Sequence, residues 1–167
     1  MLKRSILDAL NEQIQKEGYS ANLYLAMASW AETEGYDGIT QWLYAQAQEE
    51  TEHMLKIIGY VNERGGKAII PAFDKPPAEW NSIQEMFDQV LEHEKFVTES
   101  IHSIIPIIQK ENDYASLRWI QWFVDEQMEE ESSVQEIIDK LEMLGDKNLY
   151  MFDRDIMGMR AEGGEEA

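Results

Sequence analysis

Charged side chains interrupt the middle of several apolar helical stripes, where an ion without a partner is costly to bury. In the first helical segment, Glu17 continues the stripe of Leu10 and Ile14 at spacings of four and three, which is the period of one helix face. Extending each later stripe in the same way places further polar side chains on inward faces, namely Gln46, Glu50, His53, Glu94, Gln127 and Glu130. Neighbouring carboxylates repel one another unless cations bind between them. Carboxylate oxygens with one imidazole indicate a site for divalent first-row metals such as iron, with zinc and manganese as alternatives.

Four of these polar residues are predicted to lie at one level of a helical bundle. Glu17 and His53 lie 18 residues before and after Gly35, and Glu94 and Glu130 lie equally far from the middle of the second turn. A helix rises ~1.5 Å per residue, so each is about 27 Å from its turn. A single glutamate on an imperfect stripe could equally be tilted into solvent, but a whole set at one depth favours a common site.

The pattern also repeats along the chain. Glu50-x-x-His53 has a counterpart in Gln127-x-x-Glu130, and each begins 33 residues after an inward glutamate of the preceding segment. Residues three apart on a helix share a face, so Glu50 can bridge two metals while His53 binds one. The repeat predicts approximate two-fold symmetry at the site.

The elements that must position these residues are almost all helical. Apolar spacing predicts long helices over about 5–34, 39–64 and 82–110, and a fourth that follows residues 111–114 and is broken by Gly145. Ser82 is the expected N-cap of the third helix, with Glu85 as its capping-box partner. Pro106 is expected to kink that helix near its end.

The connections define the topology of the bundle. Residues 67–81 contain three prolines and cannot form a helix interior, so this segment is predicted to cross the length of the bundle between two tight hairpins. A short fifth helix is expected around residues 149–157. Residues 1–160 are predicted to form a single domain, and the Gly/Glu-rich residues 161–167 to be a disordered acidic tail.

Composition excludes several classes of function. A chain of 167 residues with 44% hydrophobic residues can form one sizeable core. The formal net charge of -19 argues against nucleic acid as a partner, and the absence of cysteine excludes thiolate ligands and disulfides. No apolar run approaches the ~20 residues needed to cross a membrane. Charges interrupt the start of the chain where a signal peptide would need an apolar run, so we expect a cytoplasmic protein.

Two segments are typical of one protein family. They read Gln-Trp-Phe-Val-Asp-Glu-Gln-Met-Glu-Glu-Glu at 121–131 and Glu-Glu-Thr-Glu-His at 49–53. Through these segments the chain resembles the bacterial non-haem ferritins, and the likeness extends over about residues 1–159. The resemblance implies an all-α, ferritin-like four-helix bundle with a long crossover between helices two and three and a short fifth helix. It also implies storage of iron and a ferroxidase, an enzyme that oxidises Fe(II) with dioxygen at a dinuclear centre.

The resemblance assigns roles residue by residue. It implies a first iron site of Glu17, Glu50 and His53, and a second of Glu50, Glu94 and Glu130 with Gln127 beside it. A third iron site would use carboxylates that are otherwise simply a solvated acidic face, namely Glu49, Glu126, Glu129 and Glu130. Tyr24 and Trp122 resemble aromatic residues that supply an electron during oxygen reduction, although core packing is an equal alternative for Trp122. His93 and His102 fall off the ligand pattern and are expected to be packing or surface residues.

The resemblance also narrows the family and its assembly. In haem-containing bacterioferritins a methionine would stand at Thr51, and a second Glu-x-x-His motif would replace Gln127-x-x-Glu130, so no haem is expected. The family implies self-assembly into a homo-oligomeric shell of 24 subunits. Two rivals remain at this stage: a mini-ferritin that protects DNA, which usually builds its site between subunits, and a non-catalytic helical adaptor with hydrated carboxylates.

Overall fold

The chain forms five helices, seen in a computed structural model that describes residues 1–145 and 148–163, with side chains up to residue 160. The helices are α1 (Arg4–Thr33), α2 (Asp37–Glu63), α3 (Ile83–Lys110), α4 (Tyr114–Leu144) and α5 (Leu149–Gly163). The all-α prediction is confirmed, and the described ranges contain no strand. The predicted ends of the four long helices agree with the structure to within one or two residues. No helix in the described ranges is long and apolar enough to cross a membrane.

Local chemistry explains where the helices begin and end. Gly35 adopts φ +84° in the turn between α1 and α2, a left-handed conformation that glycine takes without steric cost. The Ser82 hydroxyl accepts the Glu85 N–H at 3.1 Å, as predicted, and the Glu85 carboxylate accepts the N–H of Asn81, one residue before the cap. Asp113 caps α4 by accepting the N–H of Ser116. Pro106 lies inside α3, which continues to Lys110.

The crossover between α2 and α3 is extended and runs beside α1, as predicted for a bundle-length connection. The Asn11 side chain bonds the backbone of residues 67 and 69. Further along, the Phe73 ring lies so close to Gly18 that a Cβ there would meet it at 2.4 Å. The Trp80 ring then packs edge-on against Trp30, with ring centroids 5.7 Å apart. The connection therefore follows α1 along its length.

The apolar core consists of two clusters separated by a polar level. One cluster fills the end of the bundle that contains Leu23 to Ala31 of α1 and also includes Phe152 and Ile156 of α5. The other fills the opposite end, around Ile6 to Ile14 of α1. Every long helix carries buried acidic, amide or imidazole side chains between the two clusters, among them Glu17, Glu50, His53, Glu94, Gln127 and Glu130.

Helix α5 packs against the start of α2 and against α4. The Asp153 carboxylate accepts the Ile39 N–H at 2.9 Å, in the first turn of α2. The approach at Gly38 is closer still, since a Cβ there would lie 1.7 Å from the backbone oxygen of Asp153. α5 ends at Gly163, three residues beyond the predicted domain boundary. Residues 164–167 of the predicted tail lie outside the described residues, so the disorder of that tail stays a prediction.

Candidate metal centre

The first group of candidate ligands comes from α1 and α2. His53 Nδ1 lies 3.6 Å from Glu50 Oε2 and 3.9 Å from Glu17 Oε2. All three residues are at most 3% exposed, and one ligand atom from each lies within 4.8 Å of the others. The i, i+3 spacing of Glu50 and His53 places both on the face that meets Glu17. The structure thus brings together the three residues expected to form the first iron site.

Three atoms of this group lack the hydrogen bonds that buried polar atoms normally make. They are Glu17 Oε2, Glu50 Oε1 and His53 Nδ1. The other oxygen of Glu17 is bound, since it accepts the Gln13 amide N–H at 2.7 Å. Leaving a buried polar atom unpaired costs about 1–3 kcal/mol, and more for a charged group. Oxygen and nitrogen atoms that share one small volume therefore fit a divalent cation placed between them.

The second expected group combines Glu50 of α2 with residues of α3 and α4, and it is arranged differently. Glu94 is held by two donors, the Tyr24 hydroxyl at 2.5 Å and the Gln127 amide at 3.2 Å. Glu130 Oε2 accepts the Gln46 amide N–H at 2.9 Å. Among the described residues, Glu50, Glu94 and Glu130 do not present one atom each within 4.8 Å. Their side chains are buried at the same level, but two of them are turned onto hydrogen-bond donors.

A third group extends the site toward the surface. One ligand atom from each of Glu49, His53, Glu126 and Glu130 lies within 4.8 Å of the others, and His53 Nε2 is 3.7 Å from Glu126 Oε1. Of the four residues expected in a third iron site, Glu129 is not in this group. It is exposed and lines a neighbouring cavity of about 110 Å³, together with Glu49, Glu130 and Arg160.

Burial makes the carboxyl groups of the site weak acids. Loss of hydration raises the pKa of Glu17, and it raises those of Glu50 and Glu130 well above the usual value. For Glu50 and Glu130 the negative charge of Glu94 adds to this effect. Burial also raises the pKa of Glu94, to about 7, although the hydrogen bonds from Tyr24 and Gln127 partly offset it. The site therefore holds protons that a bound cation would replace.

The pKa of His53 is set by nearby negative charges rather than by burial. Burial alone would lower its pKa, but the nearby carboxylates of Glu126, Glu50 and Glu17 outweigh that effect and raise the pKa to about 11. Before His53 can bind a metal, its ring must lose a proton. In the metal-free protein the imidazolium is a cation that the acidic cluster itself retains.

The aromatic residues near the site lie in distinct settings. Tyr24 is 1% exposed, and burial, with the charges of Glu94 and Glu130, raises the pKa of its hydroxyl well above 10. The Trp122 ring stands edge-on to His53 with centroids 5.5 Å apart, and Lys56 Nζ lies 3.5 Å from its centroid. His93 packs near Tyr19 and Phe96, and burial lowers its pKa to about 4. His102 is exposed.

Three residues that donate hydrogen bonds to carboxylates of the site were not among the predicted site residues. Gln13 binds Glu17, Gln46 binds Glu130, and Arg160 of α5 bonds both Glu49, at 2.6 Å, and Gln46. The sequence placed Gln46 on the inward face of α2, but no role in the site was assigned to it. Gln13 lies four residues before Glu17 and one before the stripe residue Ile14. For Arg160 no sequence pattern was available, because its position depends on how α5 docks.

A four-helix bundle with a buried cluster of carboxylates and one histidine defines a metal-binding helical bundle, and comparison with known proteins names its family. The sequence-family model of the ferritin-like domain matches residues 7–144 of this chain. The chain belongs to the ferritin family, an iron-storage family.

Named relatives and solved structures agree with that assignment. A probable bacterial non-haem ferritin-like protein of Haemophilus influenzae is 39% identical, covering 93% of this chain and 96% of the relative. A bacterial non-haem ferritin of Campylobacter jejuni is 37% identical, covering 92% and 93%. A crystal structure of an open-pore ferritin from Archaeoglobus fulgidus is 39% identical, with a TM-score of 0.91 over 93% of this chain and 98% of that one. The predicted resemblance to bacterial non-haem ferritins is confirmed.

Proposed function

We propose that this protein is a ferroxidase that oxidises Fe(II) with dioxygen at a dinuclear centre in its bundle and stores the ferric product as a mineral. The observation that carries the proposal is the set of unpartnered buried atoms on Glu17, Glu50 and His53. They offer hard oxygen ligands and one imidazole, a combination that suits Fe(II). Carboxylates also stabilise the more highly charged ferric product.

The first iron ion is proposed to bind Glu17, Glu50 and His53. The second would bind Glu50, Glu94 and Glu130, and for this Glu94 and Glu130 must turn away from the donors that now hold them. Protons leave the carboxyl groups and His53 as the cations bind, because a ligand atom must be deprotonated. Each iron ion then gives one electron to dioxygen. Gln127 would remain beside the second iron as a hydrogen-bond donor.

Tyr24 is proposed to take part in the electron transfer. In the metal-free protein its hydroxyl is hydrogen-bonded to Glu94 at 2.5 Å, so the ring lies next to the second iron site. Once Glu94 has turned to bind iron, oxidation of the ring would give one electron, together with the hydroxyl proton, to the dioxygen that is being reduced. Trp122 is 37% exposed, so it is not a core-packing residue, and its redox role stays a proposal. No haem is part of the proposal.

A third iron site is proposed for the outer carboxylates, using Glu49, Glu126 and Glu130 together with Glu129. The first three are supported by their mutual distances. Glu129 would have to turn inward from its exposed position. This site adjoins the first through His53, which lies between Glu17 and Glu126, so iron could move between the two by short steps.

The stored mineral requires an enclosed space, which one bundle does not provide. We therefore propose self-assembly into a shell of 24 copies in the cytoplasm, supported by the relatives that are named as ferritins. A formal net charge of -19 favours cations over nucleic acid as partners. Size-exclusion chromatography with light scattering tests the assembly, and a stable monomer would contradict it.

Aerobic addition of Fe(II) tests the catalytic proposal, with the ferric product followed by its absorbance. The double variant Glu50→Ala, His53→Ala should oxidise iron at least about tenfold more slowly than the wild type, since ligands of the centre are lost. Glu63→Ala is the control, because this residue is exposed on the same helix and far from the site. Equal rates in the wild type and the double variant would show that the centre is not a ferroxidase.

A further inference from the structure

A chain of polar side chains from α1 and α3 connects the protein surface to Glu17. Lys16 of α1 is partly exposed, and its ammonium donates to the Ser100 hydroxyl of α3 at 2.5 Å. Ser100 donates to Gln13 Oε1 at 2.6 Å, and Gln13 Nε2 donates to Glu17 Oε1 at 2.7 Å. Gln13 is 0% and Ser100 6% exposed, so water does not compete freely for these bonds.

The chain has a donor group at one end and a carboxylate acceptor at the other, which gives its bonds one direction. A lysine ammonium has only hydrogen-bond donors, so the Ser100 oxygen must accept from it. The single hydroxyl proton of Ser100 is donated to Gln13 Oε1, so the Gln13 carbonyl oxygen faces Ser100. The Gln13 amide N–H groups are consequently the only part of that side chain left to face Glu17.

This direction matters for the carboxylate at the end of the chain. Glu17 Oε1 is held by Gln13, while Glu17 Oε2 has no partner and lies 3.9 Å from His53 Nδ1. If Gln13 rotated by half a turn, its carbonyl oxygen would face the carboxylate and repel it. Lys16 Nζ also lies over the Phe96 ring, 5.8 Å from its centroid, a cation–π contact that helps to keep the ammonium in place.

We propose that Lys16, Ser100 and Gln13 are positioning residues that hold one oxygen of Glu17 and present the other to the first metal ion. The inference rests on the proposed metal centre. Hydrogen bonds that orient metal ligands commonly change metal affinity by about 10- to 100-fold when they are removed. We call these three residues the relay. Removing Ser100 or Lys16 is expected to change the metal affinity by an amount at the lower end of that range, because both reach Glu17 only through Gln13.

Anaerobic titration of the metal-free protein with Zn²⁺ tests the relay without involving oxidation. Zn²⁺ binds carboxylate and imidazole ligands. Ser100→Ala leaves the charge of Lys16 in place but breaks the chain, and it should weaken the tightest Zn²⁺ site by about tenfold. Lys16→Met should weaken it to a similar extent. Ser100→Thr retains the hydroxyl and should restore most of the affinity.

The matched control is Ser103→Ala, one turn further along α3. The Ser103 hydroxyl bonds only the backbone oxygen of Ser100, so Zn²⁺ affinity should change less than about twofold, within the range of ordinary surface substitutions. Thermal melting of each metal-free variant separates positioning from general destabilisation. The relay requires a loss of Zn²⁺ affinity in Ser100→Ala while the metal-free melting temperature stays close to that of the wild type.

The outcomes that overturn the inference differ from those that overturn the proposed function. Wild-type affinity in Ser100→Ala would eliminate the relay, even if Lys16→Met binds weakly, since the ammonium would then act through space. A loss of affinity in Ser100→Ala that merely follows a lower melting temperature would also eliminate it. If instead the wild type and the double variant Glu50→Ala, His53→Ala bind Zn²⁺ equally, the assignment of the metal centre is wrong. The relay, which depends on that assignment, is then wrong as well.

Discussion

The stability of the metal-free protein should fall as the pH rises from about 5.5 to 8.5, and Glu94 should account for a measurable part of the fall. Burial raises the pKa of Glu94 from 4.5 to about 7 in the folded state. The folded protein therefore holds this proton more tightly than the unfolded chain does. Such a group contributes stability below pH 4.5, and that contribution is lost as the pH rises through about 7.

The size of the effect follows from the pKa difference. One pKa unit corresponds to about 1.4 kcal/mol, so ionising Glu94 in the fold costs about 3.4 kcal/mol in total. About 1.4 kcal/mol of this is already lost at about pH 5.5, which leaves about 2 kcal/mol for the interval. In a domain of this length that corresponds to about 4–8 °C in melting temperature. His53, with its pKa raised to about 11, changes stability in the same direction.

Glu94→Gln isolates the contribution of the carboxyl group. Glutamine does not ionise, and its carbonyl oxygen can still accept the hydroxyl proton of Tyr24, so the melting temperature of this variant should fall about 4–8 °C less over the same interval. Glu92→Gln is the control, because this exposed residue lies on the same helix and its substitution changes the charge equally. Scanning calorimetry after removal of metal by a chelator measures both slopes. The reasoning is refuted if Glu94→Gln and the wild type lose stability in parallel.

Two further predictions concern α5. Arg160→Gln removes the cation bonded to Glu49. Zn²⁺ binding at the outer carboxylates should become about two- to fivefold tighter, the range expected for a partly exposed ion pair. Unchanged affinity in an anaerobic titration would contradict this. Gly38→Ala would place a Cβ 1.7 Å from the Asp153 backbone oxygen, so α5 must shift. The free energy of unfolding should fall by about 1–3 kcal/mol, with a lower melting temperature, and proteolysis of α5 should become faster. Gly59→Ala, on the same helix with open space around it, should be neutral or slightly stabilising, and a similar loss in both variants would show that α5 docking is not the cause.

The sequence predicted those parts of the molecule that depend on the local period of a helix. The inward positions of Glu17, Glu50 and His53 followed from spacings of three and four, and each of the three is buried at the expected level. The orientation of Glu94 could not be predicted, because it depends on a hydroxyl and an amide from two other helices. Docking of α5 could not be predicted either, because it depends on tertiary contacts such as the close approach at Gly38 and the bond from the Ile39 N–H to Asp153.

The division of the core into two apolar clusters has a consequence for cooperativity. A continuous core couples the two ends of a bundle, but here the clusters meet only across a level of ionisable groups, three of whose atoms have no partner. Without metal, local unfolding of one half should destabilise the other half only slightly. Hydrogen exchange should therefore show two units that differ in protection. A cation bound between α1 and α2 would link the halves and make the bundle unfold as one. Metal binding at the centre would then stabilise the whole fold in addition to serving the reaction.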